Sequence, residues 1–280
     1  MPRVEAVLVV ATFALYAAGF ALSLAGLISG REGAYRAGRW AALGGLGAHT
    51  LAIAARTVVS GHFPVVTPYE NASVGAWSIV LLAFLAPRRL AVYRTAGTGA
   101  IALALLILGW SVTEDLTVTP LVASVRSAWL YVHVLFAFLA YAAFSVASGA
   151  ALAYLVRARR GGPDWLPPLE QLDRVAYLYV VFGFITCAVM IGAGAIWAKD
   201  LWGSYWSWDP VETWNLVAWL AYGILIHLRV TYGWRDARFA WFAVLAVLLV
   251  VVAYFGVGVV LKGTQHVFTV PTVATVATTR

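Results

Sequence analysis

Six of the chain's 13 tryptophans lie between positions 197 and 219: Trp197, Trp202, Trp206, Trp208, Trp214 and Trp219. A lone tryptophan reads as an anchor at a membrane–water boundary, because indole is amphipathic. Six in 23 positions are denser than anchoring requires. A short helix over 202–206 would put Trp202 and Trp206 on one face, with Tyr205 beside them. Such a face is a flat apolar shelf on which a planar conjugated ligand could lie. The next residues, Asp209-Pro210-Val211-Glu212, are those of a helix start: an acidic N-cap, proline at the first helical position and glutamate three after the cap. Capping is the main role this assigns to Asp209 and Glu212, with direct ligand contact as the lesser alternative. Thr67-Pro68-Tyr69-Glu70 repeats the arrangement, so Glu70 takes the same interpretation. The other side chains with ligand chemistry are five histidines, His49, His62, His133, His227 and His266, whose neutral rings can bind a metal or relay a proton.

The elements that must position these residues are membrane spans. Of 280 residues, 62% are hydrophobic and 11% charged, and the mean hydropathy is +0.85. A soluble domain carries about 45–50% apolar and about 25% charged residues, so this chain has too little polar surface for an ordinary cytosolic enzyme. The single cysteine, Cys187, lies in an apolar run and excludes a disulfide scaffold. The expected fold is all-α and polytopic. Eight segments near the ~20 residues a span needs stand out, over 4–28, 38–59, 71–86, 95–111, 127–156, 174–197, 213–232 and 240–261. The third and fourth are near the minimum length, joined by a tight turn at Pro87-Arg88-Arg89. The first is too long and too apolar to its end for a cleaved signal peptide, and is expected to stay as a span.

Loop charge sets the expected orientation. With the N-terminus outside, 13 of the 19 basic residues fall on inner loops and six outside: Arg3, Arg56, Arg126, Lys199, Lys262 and Arg280. Both termini are therefore expected on the outer face, and the net charge of +7 reflects topology, with no nucleic acid needed to explain it. The whole of 1–280 reads as one transmembrane domain, with a tryptophan-rich outer segment at 198–212 and an outer tail at 262–280.

The run Trp202-Gly203-Ser204-Tyr205-Trp206-Ser207-Trp208-Asp209-Pro210-Val211-Glu212-Thr213-Trp214 resembles the tryptophan-rich "WWD" signature of haem-handling membrane proteins. Asp-Pro followed by Glu-Thr-Trp is similar to the CcsA (ResC-like) branch of cytochrome c biogenesis rather than the CcmC branch. Gly61-His62-Phe63-Pro64, Tyr69-Glu70-Asn71 and the tail around Gln265-His266 add to the likeness, which covers about residues 50–268. The resemblance implies that haem b is held against Trp202, Gly203, Trp206, Trp208, Asp209, Pro210 and Glu212, and that His133 and His266, flanking the signature, ligate its iron on the outer face. Position agrees: His133 lies near the outer end of the fifth segment and His266 shortly after the eighth, both at the level of the shelf. For His227, on the inner half of the seventh segment, the resemblance implies a second haem site completed by a separate CcsB (ResB)-like protein. The alternative there is a helix-packing hydrogen bond. His49 is a weaker candidate for an internal partner. His49 and His62 are 13 apart, close to the spacing of a bis-haem helix, but the other gaps, 71, 94 and 39, offer no matching pair.

The function the resemblance implies is the haem-handling subunit of a cytochrome c synthase. It would move haem to the outer face of a bacterial plasma membrane, or a thylakoid membrane in a plastid, and present it for thioether attachment to Cys-x-x-Cys-His of apocytochrome c. A haem exporter or chaperone without ligation is the alternative, and a haem-free transporter a third reading. No phosphate loop, cysteine cluster, zinc spacing or nucleophile elbow is present, and Cys187 reads as inert. Gly192, Gly194, Gly256 and Gly258 read as close helix contacts. Arg56, Arg126 and Lys199 are candidates for the haem propionates by location, with snorkelling to headgroups the equal alternative.

Overall fold

The computed structural model describes residues 2–85, 91–118, 127–159 and 162–256. Its elements are eight α-helices: α1 Arg3–Ser29, α2 Glu32–Ser60, α3 Pro68–Leu85, α4 Ala91–Ser111, α5 Ala128–Arg157, α6 Leu169–Trp202, α7 Pro210–Tyr232 and α8 Ala237–Val251, the last running into a π-helical turn over Val252–Gly256. No strand occurs among the described residues. Seven of the eight are long and apolar enough to cross a membrane, which makes this a multi-pass membrane protein. The exception is α3, where 18 residues carry buried Glu70, Ser73 and Ser78 against neighbouring helices. The expected sixth and second segments are longer in the structure, because polar residues extend both helices beyond their apolar stretches.

Two groups of helices each bury a core. Tyr16, Ala42, Leu46, Val80, Ala104 and Leu108 close the α1–α4 group. Phe144, Val180, Met190, Tyr222, Leu225 and Phe239 close the α5–α8 group. Helix α5 joins them: Ile79 and Ala100 meet Ala142, and Val65 and Val74 meet Phe138, with Ile53 and Val134 packed alongside. Helices α1 and α2 approach closely: a Cβ on Gly38 would meet Ser23 and the Gly19 carbonyl, so only glycine lets the two backbones meet.

Charged side chains tie the helix ends. At one end Arg56 (1% exposed) is enclosed. Its Nε donates to Glu70 Oε1 at 2.9 Å, its other nitrogens donate to the carbonyls of Leu116 (3.0 Å) and Thr117 (2.6 Å), and Glu5 lies 3.6 Å away. Tyr69 completes the cluster by donating to Glu5 Oε1 at 2.8 Å. Beside it, the Asp115 carboxyl is held below its ordinary range by hydrogen bonds from the Thr117 N–H and hydroxyl. At the opposite end Arg229 of α7 makes two bonds to Asp173 of α6, at 2.7 and 2.6 Å. Its guanidinium lies over the rings of Tyr177 and Phe239. The Pro87-Arg88-Arg89 turn, Arg126 and the tail 262–280, with Lys262, Gln265, His266 and Arg280, lie outside the described residues, as does Gly258.

Candidate functional site around His133

His133 sits in the second turn of α5, whose start is capped by the Ser127 hydroxyl accepting from the Trp129 N–H at 3.2 Å. Its Nδ1 lies 2.9 Å from the backbone carbonyl of Met190 on α6. A carbonyl can only accept, so Nδ1 carries the hydrogen and Nε2 of the neutral ring carries the lone pair. The contact depends on Gly194. α-Helical pairing directs the Met190 carbonyl toward the N–H of residue 194, and a Cβ there would stand 2.6 Å from Nδ1 of His133 and 3.0 Å from its Cε1. The imidazole therefore occupies the space a side chain at 194 would fill. One turn on, buried Trp197 lies alongside the ring, with centroids 6.4 Å apart and planes inclined 29°. Trp202 follows against Trp197 at 5.4 Å.

The segment after Trp202 is not helical, contrary to the expectation of a short helix over 202–206. Gly203 ends α6 in the left-handed region (φ 82°), with its N–H bonded to the Lys199 carbonyl at 3.0 Å. Trp206 lies in the non-helical run beyond it. Trp202 and Trp206 thus belong to different local structures, and the aromatic surface is assembled as Trp197 with Trp202 and, separately, Trp206 with Trp208 at 6.0 Å. Trp208 is the one non-glycine residue with positive φ (59°) among the described residues, and it is 71% exposed. A bulky residue in that conformation costs about 1–3 kcal/mol and persists where its surroundings over-determine it. Here Glu212 does so. Its Oε2 accepts from the N–H groups on either side of Trp208, Ser207 at 2.9 Å and Asp209 at 3.3 Å, and from the Ser207 hydroxyl.

Asp209 accepts from the Val211 N–H at 2.9 Å, and the capping box with Pro210 at the first helical position opens α7 as expected. Glu70 likewise accepts from the Val66 and Thr67 N–H groups at the start of α3 and also pairs with Arg56. Two residues that the sequence reading missed brace this end. Tyr141 of α5 donates to Asn215 Oδ1 of α7 at 2.6 Å, and the Asn215 amide donates to the Val211 carbonyl. Neither residue belongs to a spacing pattern.

His133, Gly194, Trp197, Tyr205, Trp206 and Glu212 border a cleft of about 40 Å³. It admits a small group or the edge of a ring, and a macrocycle would have to lie across its mouth, against exposed Tyr205 and Trp208. The remaining candidates separate. His227 is exposed on α7, toward the end opposite His133, with Nδ1 3.3 Å from the Thr231 hydroxyl and its ring 6.0 Å from that of Tyr232. His49 is buried, with Nδ1 3.4 Å from the Tyr16 hydroxyl and Nε2 3.1 Å from the Ser73 hydroxyl. Both its nitrogens contact hydroxyls that link α2 to α1 and α3, which is the setting of a packing residue. His62 is buried in the α2–α3 loop, its Nδ1 3.0 Å from the carbonyl of the next residue, Phe63. Arg56, taken from its location as a propionate candidate, is enclosed by Glu5, Glu70 and two carbonyls, which commits its guanidinium. Lys199 donates to the Gly203 carbonyl at 2.7 Å. Gly192 faces open space, and Gly194 meets a side chain rather than a neighbouring backbone. Among the described residues no three His, Cys, Asp or Glu side chains gather as a metal site.

Residues 65–265 match the model of the family described as cytochrome C assembly protein. The chain is 35% identical over 233 residues to the cytochrome c biogenesis protein CcsA of Parasynechococcus marenigrum, covering 71% of this chain and 75% of that one. It is 31% identical over 242 residues to the protein of the same name from Guillardia theta, covering 76% and 79%. Among solved structures it superposes on the cytochrome c heme lyase CcmF with a TM-score of 0.68 at 18% identity, a likeness of fold. That match takes in 90% of this chain and 48% of the lyase, so the chain spans about half the lyase's length.

Proposed function

This chain belongs to the cytochrome c assembly protein family, in its CcsA branch, and on that premise we propose that it is the haem-handling subunit of a cytochrome c synthase. Its role in cytochrome c maturation follows from the family. The finer assignment is that it brings haem b to the outer face of the membrane and presents it for attachment to apocytochrome c. The observation that carries this reading is the seating of His133. An imidazole whose Nδ1–H is held by a backbone carbonyl presents Nε2 as a ligand of set direction, which is how metal-binding histidines are oriented. Trp197 beside it limits tilting of the ring.

In this reading Trp208, Trp206 and Tyr205 form the apolar rim on which the macrocycle would lie, and His266 would be the second residue to hold the iron. Glu212 and Asp209 act by holding the turn that carries the rim. His227, exposed on the opposite half of α7, is available to a neighbouring protein, which suits a second haem site shared with a CcsB (ResB)-like partner. The haem supplies the reactive vinyl groups. Each takes up one Cys-x-x-Cys-His thiol of the substrate, sulfur bonding to one vinyl carbon and the proton passing to the other, with no net redox change. The substrate histidine replaces His133 or His266 on the iron. The chain lowers the barrier by positioning the reactants.

The test is spectroscopy of the complex co-expressed with its CcsB-like partner and purified. His133→Ala and His266→Ala are expected to impair the same haem site, and His227→Ala a distinct one. Unchanged haem spectra in all three variants would overturn the ligand assignment. Co-expression with an apocytochrome decides between roles. Holocytochrome formed with no further ligase supports the synthase, and haem released without thioethers supports the exporter.

A further inference from the structure

At the end of the bundle opposite His133, the last turns of α1 and α3 and the first turns of α2 and α4 enclose a cavity of about 240 Å³. Three arginines line it, Arg36, Arg39 and Arg94, together with one carboxylate, Glu32. Arg94 is held in place by two bonds to Glu32, at 2.6 and 3.1 Å, and by the Tyr35 ring 4.8 Å beneath its guanidinium. The Arg39 guanidinium lies 5.4 Å from the Phe84 ring centroid. Among the described residues Arg36 makes no ion pair. Counted by side chain, three guanidiniums against one carboxylate give the lining a formal charge of plus two.

The depth of the pocket narrows the choice of anion. Trp40, which follows Arg39, is 71% exposed on the outside of α2, and Leu85 at the end of α3 is exposed as well. An exposed indole at the end of an apolar helix face marks the boundary between hydrocarbon and headgroups. Phe84 and Ile101 form the apolar side of the same cavity. Guanidinium forks match phosphate oxygens in pairs, and basic pockets between membrane helices accept lipid headgroups. We propose that Arg36, Arg39 and Arg94 form a binding site for the phosphate of an anionic diacyl lipid. Glu32 orients Arg94 within it, and the lipid bridges the ends of α2 and α4.

Native mass spectrometry of the full chain in detergent, titrated with phosphatidylglycerol or phosphatidylcholine, tests this. Each arginine near a phosphate is expected to contribute about fivefold in affinity. Phosphatidylglycerol should therefore be retained at least fivefold more than phosphatidylcholine. Arg36→Gln alone, an exposed position, should lower its affinity about fivefold, and Arg36→Gln with Arg39→Gln more than tenfold. Arg235→Gln, in the exposed α7–α8 connection at the same end, is the control and should leave affinity within twofold. Equal retention of the two lipids, or an equal loss in Arg235→Gln, overturns the site. Inorganic phosphate that binds as tightly as phosphatidylglycerol overturns the lipid as the source of the phosphate.

Discussion

Replacing Gly194 by alanine puts a methyl group where the His133 imidazole now rests, 2.6 Å from Nδ1 and 3.0 Å from Cε1. Both distances are too short to survive, and the backbone of α6 is packed against the α5–α8 core, so the ring must move. Moving it breaks the 2.9 Å bond to the Met190 carbonyl. That loss costs about 0.5–1.5 kcal/mol, and overpacking a close contact about 1–3 kcal/mol. Alanine in a helix interior returns about 0.5–1 kcal/mol relative to glycine. The net is a destabilisation of about 0.5–4 kcal/mol by these figures. The effect on haem should be larger, because a ligand deprived of its orienting partner loses about 10–100-fold in affinity. Gly192→Ala, two residues away and facing open space, isolates the contact. It should leave haem affinity unchanged and melt no lower than the parent. The assay is haem titration of the purified complex, followed by its Soret band and paired with thermal melting in detergent. Wild-type haem affinity in Gly194→Ala would refute the claim that the Met190 carbonyl and the space at Gly194 seat the His133 ligand.

The helices and the two caps were legible from sequence for physical reasons. Apolar runs of membrane length are imposed by the bilayer, and Asp209-Pro210-Val211-Glu212 satisfies its own local N–H groups without help from distant residues. The candidate site is half legible. The tryptophans stand out by residue type and His133 by its type together with the family resemblance, but their arrangement depends on tertiary contacts. A glycine 61 positions away decides whether His133 can reach a carbonyl. A left-handed Gly203 turns the chain before Trp206, which is why a helical reading of 202–206 fails. Arg56 shows the same limit. By position it is one of six basic residues on the expected outer side, yet its partners, Glu5 and Glu70, come from two other helices. Side-chain type gives the chemistry available, and only packing decides whether that chemistry faces a ligand or another part of the chain.

Three further perturbations separate positioning from ligation. Glu212→Ala removes the acceptor shared by the Ser207 and Asp209 N–H groups, so amide exchange over 203–213 should rise and haem affinity fall. Unchanged protection would show that Glu212 does not hold the turn. His49→Leu strands the Tyr16 and Ser73 hydroxyls at about 1–3 kcal/mol of stability, while the haem spectrum stays that of the parent. A lost Soret signal in a folded variant would make His49 a haem ligand. Arg56→Met is the most severe. It leaves Glu5 and Glu70 buried without their cation and opens the contacts to Leu116 and Thr117. Breaking one side of a buried pair costs about 3–5 kcal/mol, and lysine should not rescue it, because one ammonium cannot reproduce the three directed bonds of the guanidinium. The cluster draws on α1, α2, α3 and the segment after α4, and Ile53, Val65, Val74 and Val134 pack between these helices and α5, which carries His133. Melting should therefore fall sharply, while the fraction that remains folded keeps the parent haem spectrum. If Arg56→Met instead melts like the parent and loses haem, Arg56 is a haem-contacting group, and its enclosure by the two glutamates is not its role.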